Sequence, residues 1–221
     1  MTILRHKWQV RLVHWITALS IFLLFFTGFG QMPVYKRYMV DQLPGLSWSS
    51  NYASTLHLHY YAAMVLIFIS TYYLLYLVLT RETDILPRKG DFKETMIIFL
   101  SMVGLAREPE NNKYLAEQRL AFAVTAFSVA ALIITGLIKV LKNLPGSSVP
   151  LPVSFWATQV HNIFTVILLV SVVAHLLAFL IKDNRSLFPS MFTGRISLDY
   201  ARHRHSLWIK GMQSDDELGD K

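Results

Sequence analysis

FWATQVHNIFTVILLVSVVAHLLAFLI, residues 155–181, runs for 27 residues without a Lys, Arg, Asp or Glu. About 20 such residues suffice to carry a helix across hydrocarbon. The stretch nevertheless holds two imidazoles, His161 and His175, fourteen residues apart. Fourteen residues rise about 21 Å along a helix and return to within roughly 40° of the starting direction. The two histidines therefore share one face, at opposite depths of the membrane. Polar side chains at such depth are costly and mark function.

Three further stretches, 12–35, 56–80 and 120–137, are also free of formal charge and long enough to span. Of 221 residues, 53% are hydrophobic, above the usual share in soluble domains. The sequence thus predicts an all-α membrane protein, a four-transmembrane-helix bundle over residues 1–191, followed by a polar tail over 192–221 whose end, QSDDELGDK, is expected to be disordered. The first span superficially resembles a signal peptide, with Arg5, Lys7 and Arg11 ahead of it and a small-x-small GFG behind. Its long apolar run and the His14-Trp15 pair near its start argue for a retained span. Residues 91–105 are apolar but too short to cross; they predict an interfacial helix, or a short helix packed under the bundle, with Asp91 as N-cap and Pro109 ending it.

The charges orient the spans. Three Lys and Arg precede span one, seven lie between spans two and three with the flank to Arg119, and seven follow span four, against four in the two remaining loops. By the positive-inside rule both termini are cytoplasmic. The net charge of +7 follows from this topology and from lipid head groups, and is no sign of nucleic-acid binding. Cysteine is absent, so disulfides, thiolate-held iron–sulfur clusters and covalent c-type haem are excluded from this chain.

Of the eight histidines, five fall in or at the spans. His14 opens a span leaving the cytoplasm and His175 lies deep in one returning to it, so both sit toward the inner side. His57 and His59 open span two and His161 lies near the start of span four, all toward the outer side. Two pairs follow: His14 with His175, and His161 with His59 or His57. Facing histidines on neighbouring helices are a means of ligating haem iron axially, and these pairs suit two b-type haems stacked across the bilayer. Structural hydrogen bonding or a proton path would explain a lone histidine but not four paired by depth. A diiron site would need several His-rich boxes at one face. His57 and His59 are about 200° apart on a helix and cannot serve one haem together; Ala62 and Ala63, one turn beyond, favour His59. Gly28, fourteen residues after His14, and Gly136 in span three fall at the outer depth, where they give clearance for a cofactor or allow close helix packing. Arg11, three residues before His14, is placed to pair with a haem propionate or to snorkel.

These features resemble the cytochrome b (gamma) subunit of respiratory, membrane-bound formate dehydrogenase, within the wider family of prokaryotic dihaem cytochrome b subunits that includes hydrogenase cytochrome b. RLVHW with Gly28 after it is similar to that family's first helix, KYLAEQR to the loop before its third, Thr135-Gly136 to a pair within that helix, and ARHRHSLW to its basic tail. The fourth helix shares the fourteen-residue His spacing. The resemblance implies electron transfer from an iron–sulfur subunit of a catalytic oxidoreductase, through two haem b, to menaquinone or ubiquinone near the cytoplasmic face, in a complex that can form a higher oligomer. It implies His14 and His175 as ligands of the inner haem, and His161 with His57 or His59 as ligands of the outer one. It places the quinone near Tyr114, Glu117, Gln118 and His175. Where the family has an Asn and a Gly, Leu115 and Glu117 stand, so the quinone's hydrogen bonds differ; Glu117 is either a proton relay or a solvated loop carboxylate. No substrate-dehydrogenase site is expected in this chain. Other readings are a cytochrome serving a nickel–iron hydrogenase or another oxidoreductase, electron flow reversed from quinol, and, more distantly, a non-redox anchor or transporter.

Overall fold

The computed structural model describes residues 1–219, the side chains of 215–219 excepted. Its elements in order are β1 (Thr2–Leu4), α1 (Trp8–Gly30), α2 (Pro33–Arg37), α3 (Tyr52–Thr80), α4 (Asp91–Met102), α5 (Ala116–Lys142), α6 (Leu151–Leu177), α7 (Ser190–Thr193), β2 (Arg195–Ser197), α8 (Leu198–Arg204) and α9 (Ser206–Gly219), with short 3-10 turns between. Four helices, α1, α3, α5 and α6, are long and apolar enough to cross a membrane. A helix pairs its backbone groups internally, which is what a lipid-exposed segment requires. Outward side chains such as Leu19, Phe68, Leu79, Phe127 and Val170 stay exposed, as residues solvated by acyl chains do.

The chain divides into two compact units, Trp8–Arg81 and Met1–Lys7 with Glu82–Lys221. The first is the α1–α3 hairpin. Asn51 caps α3, its side-chain oxygen accepting from Ser54 N at 3.1 Å. The turn is locked where Tyr35 and Ser49 share a buried 2.7 Å hydroxyl hydrogen bond. Gly30 is required there: a Cβ would lie 2.7 Å from the Ser49 carbonyl oxygen.

The second unit holds the α5–α6 hairpin, with α4 packed on α5. The ends of the chain close a small cap on it. β1 and β2 pair antiparallel, Ile3 opposite Ile196. Arg5 N and His6 N both donate to Gly194 O, and Leu207 N donates to Asn111 O at 3.2 Å. Ile196, Ala201 and Ile209 form its buried apolar centre, with Ile3, Tyr200 and Trp208 against it.

Three expectations change. Asp91 is not the N-cap of α4: Gly90, with φ +96°, takes that place, and Asp91 turns its carboxylate to Arg88 N and Arg119 instead. The helix stops at Met102, where the chain turns through Gly104 at φ +76°, well before Pro109. The polar tail is folded over most of its length, because β2 and α8 have the N-terminal strand to pack on. The backbone of α9 continues to Gly219; the rest of the segment expected to be disordered lies outside the described residues.

Candidate functional site

The two hairpins carry the same local arrangement. In the first, Thr27 Oγ1 lies 2.8 Å from Leu23 O and 2.9 Å from His59 Nδ1. In the second, Thr135 Oγ1 lies 2.7 Å from Ala131 O and 2.9 Å from His161 Nδ1. A hydroxyl has one hydrogen to give, and a carbonyl can only accept. The threonine hydrogen therefore points to the helix carbonyl, and the imidazole must donate from Nδ1. Each ring is fixed as the Nδ1–H tautomer, with its lone pair on Nε2. A glycine follows each threonine. A Cβ added at Gly28 would have His59 Cε1 as its nearest neighbour at 3.7 Å, and one at Gly136 would have His161 Cε1 at 3.6 Å. Apart from the chain neighbours and the local helix backbone, no other atom of the described residues lies within 4 Å of either position. Close helix packing, which makes Gly30 indispensable, thus explains neither glycine.

A family model for prokaryotic cytochrome b561 matches residues 5–194. The chain belongs to that family. It is also similar to the formate dehydrogenase cytochrome b556 subunit of Haemophilus influenzae, 21% identical over 214 residues that cover 94% of this chain and 82% of that protein. The chain is accordingly a multi-pass membrane cytochrome b of electron transfer, with haem b as its cofactor.

The residues present fit that group. Imidazole Nε2 is a haem-iron donor, and its other nitrogen is held by a hydrogen-bond acceptor, the usual support for a metal-ligating histidine. The glycines keep the space beside each ring clear. His57 is exposed on α3, while His59 has the threonine partner.

The other sequence candidates are placed as follows. His14 lies half-buried on α1 beside Trp15, ring centroids 5.0 Å apart, with Arg11 half-buried one turn earlier. His175 lies in the last turn of α6, edge-on to Phe179 at 5.6 Å. Tyr114, Glu117 and Gln118 gather at the start of α5. Gln118 Oε1 accepts from Leu115 N at 3.3 Å and from Arg5 Nη2 at 3.4 Å. Glu117 is no solvated loop carboxylate: it sits in the first helical turn, and its Oε2 is buried with no hydrogen-bond partner among the described residues.

Arg5 and His205 are the neighbours that sequence reasoning missed. Arg5 is 4% exposed and its guanidinium stands 5.3 Å from the Tyr114 ring centre. His205 is fully buried. Its Nδ1 donates to Asn112 O at 2.7 Å, so its Nε2 accepts from Arg5 Nη1 at 2.9 Å. Burial first, and the Arg5 charge second, push the His205 pKa down to about 4, which keeps the ring neutral. The signal for Arg5 was present only as one charge among three before span one.

Proposed function

We propose that this cytochrome is the membrane-anchoring dihaem subunit of a formate dehydrogenase complex, passing electrons from an iron–sulfur partner across the membrane to quinone. The observation that carries the reading is the repeated threonine–histidine–glycine arrangement at His59 and His161, which fits two histidines prepared as iron ligands. His59 and His161 would hold one haem b on the outer side, and His14 and His175 the second toward the cytoplasm. That pairing rests on the alternating direction of the spans along the sequence. Held by these histidines, haem b would supply one-electron chemistry at each depth.

The chain itself does the rest. Gly28 and Gly136 leave room beside the outer ligands. Arg11 offers a cation one turn from His14 for a propionate. Near the start of α5, Tyr114, Glu117 and Gln118 with His175 form the proposed surroundings of menaquinone or ubiquinone, and Glu117 can hold a proton at Oε2. The positive-inside distribution supports cytoplasmic termini, and hence proton uptake from that side. The similarity to a formate dehydrogenase cytochrome subunit supports formate as the electron source, in complex with a catalytic and an iron–sulfur subunit.

The deciding experiment is a haem assay with a dithionite-reduced minus oxidised spectrum of the purified, detergent-solubilised protein. About two b-type haems per chain with sharp low-spin bands are expected. Folded protein without haem overturns the reading. Membranes containing the whole complex should show haem reduction on adding formate; reduction by hydrogen instead would reassign the partner to a hydrogenase.

A further inference from the structure

The Thr–Gly pair recurs on α1 and α5, each time opposite a histidine of the following long helix, and in neither case does helix packing call for it. We infer that Thr27 and Thr135 are positioning residues that set the potential of a single haem, the one ligated by His59 and His161. The inference rests on the proposed ligand assignment and goes beyond it.

The argument is one of electron density. Both hydroxyls are buried, Thr27 wholly and Thr135 at 6% exposed, so water does not compete for them. Each gives its own hydrogen to a carbonyl one turn back in its helix. A hydroxyl polarised in this way is a better acceptor, since hydrogen bonds in a chain reinforce one another. The Nδ1–H bond of each imidazole is drawn toward that oxygen, the ring gains basicity, and Nε2 becomes the stronger donor. A stronger donor favours the more highly charged, oxidised iron and lowers the midpoint potential. The same hydrogen bond fixes the rotation of the ring, and the glycine beside it leaves the ring edge uncrowded. Because the arrangement occurs once in each hairpin, both axial ligands of one haem would be tuned alike.

The test is a spectroelectrochemical titration of the full chain carrying Thr27→Val, Thr135→Val or both, with Thr27→Ser and Thr135→Ser as controls that keep the hydroxyl. Valine preserves shape and removes the acceptor. Losing one acceptor should weaken the preference for oxidised over reduced iron by about tenfold, the lower end of the effect of losing an outer partner. For a one-electron couple that is a rise of about 59 mV. One midpoint should rise, further in the double variant, while the other haem stays at its wild-type value and serine restores the original potential. Loss of a single haem in the valine variants, with retention in the serine variants, supports the same assignment. Both midpoints unchanged in haem-loaded valine variants overturns it, as does movement of different haems by the two substitutions, or serine variants that behave as valine does. Wild-type protein without haem would overturn the ligand assignment itself, and is seen before any variant is made.

Discussion

At the scale of single residues, the hydroxyl partner of His59 favours it over His57 as the proposed outer ligand. His57 and His59 are nearly opposite on α3, and small residues one turn on favoured His59 from sequence. The Thr27 hydroxyl supports the same choice: it turns the His59 proton onto Nδ1. His59→Ala should therefore abolish one of two haems, whereas His57→Ala should leave both, as counted by the haem content of the purified variants. The glycines give a second test. Gly28→Ala and Gly136→Ala place a methyl at ordinary contact distance from the ring, 3.7 and 3.6 Å from Cε1, and alanine favours a helix over glycine by about 1 kcal/mol. These variants should unfold no more easily than wild type yet retain less haem. Gly30→Ala should do the reverse: its methyl meets the Ser49 carbonyl oxygen at 2.7 Å, an overpacking that costs about 1–3 kcal/mol. Thermal unfolding in detergent beside haem content resolves the two behaviours.

At the scale of elements, what sequence reveals depends on how far its signal extends. The four spans were legible because lipid demands some twenty apolar residues in a row, a signal no short motif can hide. The threonine–histidine repeat was not, because its sequence separation is 32 residues in one hairpin and 26 in the other, so no fixed period exposes it. The cap was still less legible: β1 and β2 are three residues each and lie nearly a whole chain apart. Asp91 shows the same limit. As an acidic residue at a helix start it suggested a cap, but its role is tertiary, with Arg119 Nε and Nη2 donating to its two oxygens at 2.9 and 2.5 Å. Those donors hold its carboxyl below the usual range. Asp91→Asn leaves buried Arg119 with only the half-exposed Glu94, 3.4 Å away, as counter-charge, a loss of about 3 kcal/mol, the low end for a broken buried pair, and should lower the melting temperature. The cap is also sensitive to acid. With His205 held to about 4 in the fold and 6.5 as its ordinary value, the unfolded chain takes up a proton between these limits and the folded chain does not. Stability must then fall as pH drops from about 6.5 toward 4, by about 1.4 kcal/mol per unit. His205→Gln should flatten that part of the melting profile. Asp91 contributes in the same direction only once pH approaches its own lower range.

At the scale of the whole molecule, electron transfer to quinone needs protons as well as a route for charge. Two electrons placed on a quinone are balanced by two protons, and the four spans are poor in groups that could carry them. The start of α5 differs, with Glu117 Oε2 buried and unpartnered among the described residues. Arg119, Arg204 and Glu108 are the charged groups that act on it. A carboxylate in that setting takes up and gives away a proton at small cost in lost hydrogen bonds. If Glu117 relays protons to quinone, Glu117→Gln should leave haem content and the reduction of haem by formate at wild-type levels, while slowing the subsequent quinone-driven reoxidation of haem at least tenfold. Glu117→Asp, which keeps the acid, should recover part of that rate. Stopped-flow absorbance of the intact complex, mixed first with formate and then with a soluble quinone, reads the two half-reactions separately. Equal rates of reoxidation in wild type and Glu117→Gln would remove Glu117 from the proton route without touching the ligand assignment, because reduction of haem by formate does not require this proton.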